Sequence, residues 1–257
     1  MHELGKGGSH SQQGSLYNGG AFYKNGPIGI LGAMDAEISE FLAHATLLEK
    51  IEWHEFVFYK IELHQTEIVL VKCGVGKVFA ALVSQHLIDT FNPRCLIFTG
   101  VAGALNPDYQ IGDVVISRDC MQHDVDGKAL GFNRGHILYT DYKVFTADGG
   151  LKNAAMTNSA LKQKGHQIWE GRILTGDQFM TRETIFHQQY LTEELLGDAV
   201  EMEGAAMAQV CVVNRIPFLL VRTISDKADG NAVETFNQFL PVIAQNSFSV
   251  VESVLKG

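Results

Sequence analysis

Ala199-Val200-Glu201-Met202-Glu203-Gly204-Ala205-Ala206-Met207-Ala208 reads as a strand that turns into a helix, with two carboxylates at the junction. The stretch begins extended and apolar, and after Gly204 its alanines give a buried helix. Residues i and i+2 of a strand share a face, which points Glu201 and Glu203 the same way. Two acids there cost desolvation and mutual repulsion unless something uses them. The partial positive charge of the helix N-terminus offsets part of that cost. Gly204 and Ala205 leave room for a ligand or a second backbone. A capped helix start with two surface acids fits the same residues, and the flanking sequence has to separate the two.

Toward the C-terminus, Pro217 to Ile224 is a continuous apolar strand ending in Ser225-Asp226, and a last helix spans about Asn237 to Leu255. Toward the N-terminus lie a strand at Gln167 to Thr175, a helix at Leu151 to Lys164 and a long strand at Asp113 to Val125. Before them, Arg94 to Thr99 has the apolar run of a strand buried on both faces. It empties into Gly100-Val101-Ala102-Gly103-Ala104. Lys77 to Phe91 places Val78, Phe79, Leu82, Val83 and Leu87 at a helical period. Glu55 to Leu63 and Glu67 to Cys73 are strand-like. Ile28 to Ala33 is a short apolar strand followed by Asp35, Glu37 and an amphipathic segment to about Leu48. Strands alternating with helices over residues 27–257 predict one α/β domain with a largely parallel or mixed twisted sheet flanked by helices. In such sheets ligands bind at the carboxyl ends of the strands. Small residues or acids occupy those ends at Gly32 to Glu37, Gly100 to Gly103, Val200 to Glu203, and Ile224 to Asp226.

With 257 residues, 46% of them hydrophobic and 19% charged, the chain can bury a sizeable core. A net charge of -9 argues against a nucleic-acid surface. No segment approaches the roughly 18 consecutive apolar residues of a membrane span, so the expectation is a soluble protein. Cys73, Cys95, Cys120 and Cys211 lack CxxC spacing and sit among apolar residues, which reads as reduced, buried thiols in the cytoplasm. Residues 1–26, rich in Gly, Ser, Gln and Asn, are expected to form a flexible extension. Gly74-Val75-Gly76-Lys77 falls short of a phosphate loop, because the Walker pattern needs Ser or Thr after the Lys and position 78 is Val. Gly29-x-x-Gly32 lacks the full dinucleotide spacing. His123-Asp124-Val125-Asp126 has metal-ligand residue types, but extended alternation sends His123 and Asp124 to opposite faces. No metal and no cofactor are expected.

Gly29-Ile30-Leu31-Gly32-Ala33-Met34-Asp35-Ala36-Glu37, Thr99-Gly100-Val101-Ala102-Gly103, Ser117 through His123-Asp124-Val125-Asp126, Gly176-Asp177-Gln178-Phe179, Val200-Glu201-Met202-Glu203-Gly204 and Ser225-Asp226-Lys227-Ala228-Asp229 occur in this order. The series resembles the bacterial 5'-methylthioadenosine/S-adenosylhomocysteine nucleosidases from about Ile28 to Leu255. The resemblance implies the nucleoside phosphorylase-like fold, a mixed sheet distorted toward a barrel. It implies hydrolysis of an N-glycosidic bond, with Asp226 as the acid at adenine N7, Glu37 activating water and Glu203 holding the ribose hydroxyls. An Asp with a free pKa near 3.9 needs a shift of about 3 units, roughly 4 kcal/mol, to keep a proton at pH 7. Without that shift Asp226 acts as a hydrogen-bond relay.

By the same resemblance Phe179 stacks on the purine, the Met180 backbone reads its edge, Gly103 lets a strand end approach it, and Met202 packs against the sugar. Glu201 is grouped with these substrate-binding residues. Met34, Val75 and Phe236 line an apolar 5' pocket, completed by Leu130 and Phe132 of a neighbouring copy, so a homodimer is implied. Plain core packing remains an alternative for Phe179 and Met202. Val101 stands where some relatives carry Ser. A carboxylate such as Glu37 about 4 Å from a phosphate charge repels it by roughly 4 kcal/mol at an effective dielectric near 20, which favours water over phosphate as nucleophile. Futalosine-type hydrolysis, purine nucleoside phosphorolysis and non-catalytic nucleoside binding are the other functions that this scaffold supports.

Overall fold

The computed structural model describes residues 26–157, 165–226 and 232–256, the side chains of residues 182 and 232–243 excepted. In chain order the elements are β1 (Ile28–Gly32), α1 (Asp35–His44), β2 (Thr46–Trp53), β3 (Phe56–Leu63), β4 (Thr66–Lys72), α2 (Lys77–Phe91), β5 (Cys95–Ala104) and β6 (Val114–Gln122). A 3-10 turn at Lys128–Leu130 precedes β7 (Phe145–Thr146), α3 (Gly149–Met156), β8 (Ile168–Thr175), α4 (Arg182–His187), α5 (Tyr190–Glu193), β9 (Ala199–Glu201), α6 (Gly204–Asn214), β10 (Phe218–Asp226) and α7 (Ala232–Lys256).

The strands form one mixed sheet in the order β10-β6-β8-β9-β5-β1-β4-β3-β2, and β10 pairs again with β5. That second pairing closes β10, β6, β8, β9 and β5 into a ring, from which β1 to β4 extend as an open wing. The closure depends on β5, which holds β1 along its first half and β9 at Gly103 and Ala104. β1 and β10 are buried at every position, as expected of strands covered on both faces. The first turns of α6 pack inside the fold, with Ala205, Met207, Ala208 and Cys211 fully buried, while Val213 near its end is exposed.

Several boundaries differ from the sequence-based expectations. The segment from Asp35 does not run as a helix to Leu48. It ends at His44, Ala45 is extended, and Thr46–Trp53 is an edge strand paired antiparallel with β3. The exposed pattern of β2 carries little periodic signal, and only its partner defines it. The strand beginning near Arg94 continues through Gly100 to Ala104. The helix expected at Leu151 to Lys164 starts at Gly149, with the Asp148 carboxylate accepting the Leu151 N–H at 3.0 Å. Its second half lies outside the described residues, as does the extension at residues 1–25. Among the described residues no helix is long and apolar enough to cross a membrane.

Candidate active site

β1 passes through Ala33 and Met34 directly into α1, whose third residue is Glu37. The Glu37 carboxylate folds back over its own helix start. Oε2 accepts the N–H groups of Ala33 at 2.6 Å and Met34 at 3.0 Å, and Oε1 accepts the Val101 N–H at 3.2 Å from the end of β5. Burial pushes this carboxyl above its ordinary pKa, against the opposing pull of Arg222 and the three backbone donors. A carboxyl raised in this way suits a general base better than a solvated acid does.

At the opening stretch the strand stops at Glu201, and Glu203 is the N-cap of α6. Strand alternation therefore does not govern both acids, although both face the same cavity. Glu201 is engaged by protein groups. It accepts Arg222 Nη2 at 2.6 Å and Nε at 3.2 Å, the Thr175 hydroxyl, and the N–H groups of Glu203 and Gly204. The grouping of Glu201 with substrate-binding residues is thus met by a carboxylate whose partners lie inside the protein. Glu203 accepts the Gly76 N–H at 2.8 Å through Oε1. Burial, then the adjacent Glu201 charge, pushes its carboxyl up to about 8.

Arg222 is the buried charge beside the site that sequence reasoning missed. It is 1% exposed in the middle of β10, with its guanidinium 4.5 Å from the Phe98 ring centroid. Burial works against its charge, and Glu201, Glu203 and Glu37 together more than restore it. The signal was present: a cation inside an otherwise apolar strand has to be paired. A Cβ on Gly100 would lie 2.7 Å from Glu37 Oε1 and 2.9 Å from Arg222 Nη1, so only glycine lets those two groups approach over β5.

Asp226 ends β10 just after a register shift against Ala102 and Gly103. The Ser225 hydroxyl donates to its Oδ2 at 2.8 Å, and a Cβ on Gly103 would press on Oδ1 at 3.2 Å. The segment after β8 supplies Phe179, which is exposed at the cavity, and Met180, which is buried. Met34, Glu37, Val75, Gly103, Phe179, Met180, Glu201, Met202, Glu203 and Asp226 line one cavity of about 220 Å³, room for an organic ligand rather than a single water. Gln178 and Ser225, which the sequence motifs contain without a role of their own, line it too. Leu130 and Phe132 are not among the lining residues of this chain's cavity. The Phe236 side chain lies outside the described residues. Gly74-Val75-Gly76-Lys77 is a positive-φ turn that opens α2 and feeds an N–H to Glu203.

Carboxylates gathered at the strand ends of a ring-closed mixed sheet, around an arginine buried in β10, define a nucleoside phosphorylase-like protein. A sequence model of the Phosphorylase superfamily matches residues 27–256 accordingly. A 5'-methylthioadenosine/S-adenosylhomocysteine nucleosidase of Staphylococcus haemolyticus is 37% identical over 233 residues, 89% of this chain and 99% of that protein. The crystal structure of such a nucleosidase from Colwellia psychrerythraea, in complex with adenine, superposes with a TM-score of 0.85 at 32% identity, covering 91% of this chain and 96% of that one. A futalosine hydrolase of Helicobacter pylori gives 0.82 at 33%, covering 90% and 97%. The chain belongs to the 5'-methylthioadenosine/S-adenosylhomocysteine nucleosidase family, whose members are N-glycosyl hydrolases.

Proposed function

We propose that this chain hydrolyses the N-glycosidic bond of 5'-methylthioadenosine and S-adenosylhomocysteine, and of 5'-deoxyadenosine, releasing adenine and the corresponding ribose product. The observation that carries the reading is that Glu37, Glu203 and Asp226, delivered by separate strand ends, face one cavity. As the C1'–N9 bond breaks, its electron pair leaves with adenine, and Asp226 supplies the proton at N7. Glu37 takes a proton from the water that adds to C1'. Glu203 accepts hydrogen bonds from the ribose hydroxyls and steadies the electron-poor sugar. Phe179 stacks on the purine, the Met180 backbone reads its edge, Gly103 gives it room beside Asp226, and Met202 packs on the sugar. Met34, Val75 and Phe236 take the 5' substituent, with Leu130 and Phe132 of a second copy closing the pocket. Glu201 contributes by holding Arg222.

Water is the nucleophile. The buried cation Arg222 is already paired with Glu201 at 2.6 Å, so the described residues that line the cavity offer a phosphate dianion no unpaired positive charge, and the Glu37 carboxyl beside it opposes that anion. The buried free thiols suit a reducing cytoplasm. Purified protein incubated with 5'-methylthioadenosine is expected to release adenine at the same rate with and without inorganic phosphate. Glu37→Gln and Asp226→Asn are each expected to slow release about 10²- to 10⁴-fold, the usual contribution of one positioned acid or base. Phosphate-dependent release would point to phosphorolysis, and faster turnover of futalosine would favour the second hydrolase reading that the Helicobacter pylori neighbour raises.

A further inference from the structure

Away from the reacting groups, three segments meet at the rim of the cavity. Lys77, the first residue of α2, donates from Nζ to both oxygens of Asp124 at 2.7 and 2.9 Å, and its own N–H donates to Asp177 Oδ1 at 3.0 Å. The Asp177 N–H donates in turn to Asp124 Oδ2 at 3.0 Å, and Lys77 Nζ lies 3.8 Å from Asp177 Oδ2. Lys77 is the well-shielded member, with 17% of its side chain exposed against 31% for Asp124 and 51% for Asp177. Burial tends to raise the Asp124 carboxyl, but hydrogen bonds from Lys77 and the Asp177 amide outweigh it and leave Asp124 below its ordinary range.

We propose that Lys77 is a positioning residue, a clasp that through Asp124 and Asp177 holds the purine wall against the turn supporting Glu203. The connections are short. Asp177 immediately precedes Gln178, Phe179 and Met180 of the cavity wall, and Lys77 immediately follows Gly76, whose N–H binds Glu203. Gly74 and Gly76 both have positive φ and carry no side chain, so Val75 alone packs from this turn and a neighbouring tie helps to fix the direction of that N–H. Without the ammonium, two neighbouring carboxylates face each other and repel, and the segments carrying Phe179 and Gly76 separate.

This inference rests on the nucleosidase reading. The experiment measures kcat and KM for 5'-methylthioadenosine, and Kd for adenine, in the full-length wild type, Lys77→Met, Lys77→Arg and Asp124→Asn. Lys77→Met is expected to raise KM and adenine Kd about tenfold, with kcat falling less than KM rises, because ground-state purine contacts loosen first. Lys77→Arg, which keeps a bidentate cation, is expected to return both constants to within about threefold of wild type. Asp124→Asn in the Lys77→Met background removes one of the two repelling charges and is expected to recover part of the loss, so the two changes are not additive. Constants for Lys77→Met within twofold of wild type overturn the clasp, as does a Lys77→Arg protein no better than Lys77→Met. If Lys77→Met does not fold, Asp124→Asn alone carries the test, and unchanged KM and adenine Kd there overturn the clasp. A wild type that cleaves no 5'-thioadenosine sinks the nucleosidase reading instead, and adenine Kd across the variants still decides the clasp.

Discussion

Arg222 and Glu203 show how single residues set the electrostatics of the cavity. Arg222 is a buried cation among three carboxylates, and Glu201 is its directly bonded partner, with side-chain exposures of 1% and 2%. That pairing leaves Glu203 beside a negative charge, with the Gly76 N–H donating to its carboxylate. Its carboxyl titrates near 8 when folded, against 4.5 for an ordinary glutamate. A group that holds its proton more tightly in the folded state contributes stability that is complete below pH 4.5 and is lost as pH rises toward 8. Glu203→Gln is neutral at every pH and does not suffer that loss. Its melting temperature relative to wild type is therefore expected to rise between pH 5 and pH 8.5 by at least the equivalent of about 1 kcal/mol, roughly 2–4 °C for a chain of this size. Melting curves at the two pH values check this, and an unchanged difference rules out a proton held at Glu203.

At the scale of elements, β5 combines two functions, and its sequence shows where one gives way to the other. Cys95 to Thr99 is buried apolar strand, whereas Gly100 to Ala104 is made of small residues that let Glu37, Arg222 and Asp226 crowd onto its end. Gly100→Ala places a methyl group between Glu37 Oε1 and Arg222 Nη1, both fixed by other bonds. Displacing a reacting carboxylate by even about 1 Å can cost 10²-fold in rate. A loss of that order in adenine release is expected, with the far-ultraviolet circular dichroism spectrum unchanged; retained activity would mean that Glu37 does not need its present position. The strand ends carrying this site were legible in the sequence because small residues and acids interrupt long apolar runs. β2 was not, because an exposed edge strand is specified by its partner β3 and not by its own periodicity. Arg222 was passed over because its neighbours Leu220, Val221 and Ile224 dominate the pattern. Glu201 and Glu203 were recognised as a pair, but the division of work between them depends on Arg222, which the local stretch does not contain.

The whole molecule exposes apolar surface beside its cavity. Val78 is 77% exposed and Leu82 46%, one turn apart on α2, and Val75, which lines the cavity, is 49% exposed just before them. Leu130, assigned to the pocket of a neighbouring copy, is 61% exposed. Val75 connects the exposed apolar face of α2 to the cavity wall; exposed apolar patches mark a surface that another molecule covers, and the proposed second copy would account for both α2 and Leu130. On this argument the protein is expected to elute at about 57 kDa, twice its chain mass of 28.3 kDa. Val78→Lys with Leu82→Glu places charges on the contact and is expected to yield a monomer. On the proposed reading that monomer loses the Leu130 and Phe132 wall of its neighbour, and because an apolar pocket contributes about 1–3 kcal/mol per group it recognises, KM for 5'-methylthioadenosine is expected to rise at least tenfold. The effect should shrink for 5'-deoxyadenosine, which has less 5' substituent to bury. Light scattering and steady-state kinetics on the same samples make the check. A wild-type monomer with a low KM would show that one chain closes its own pocket.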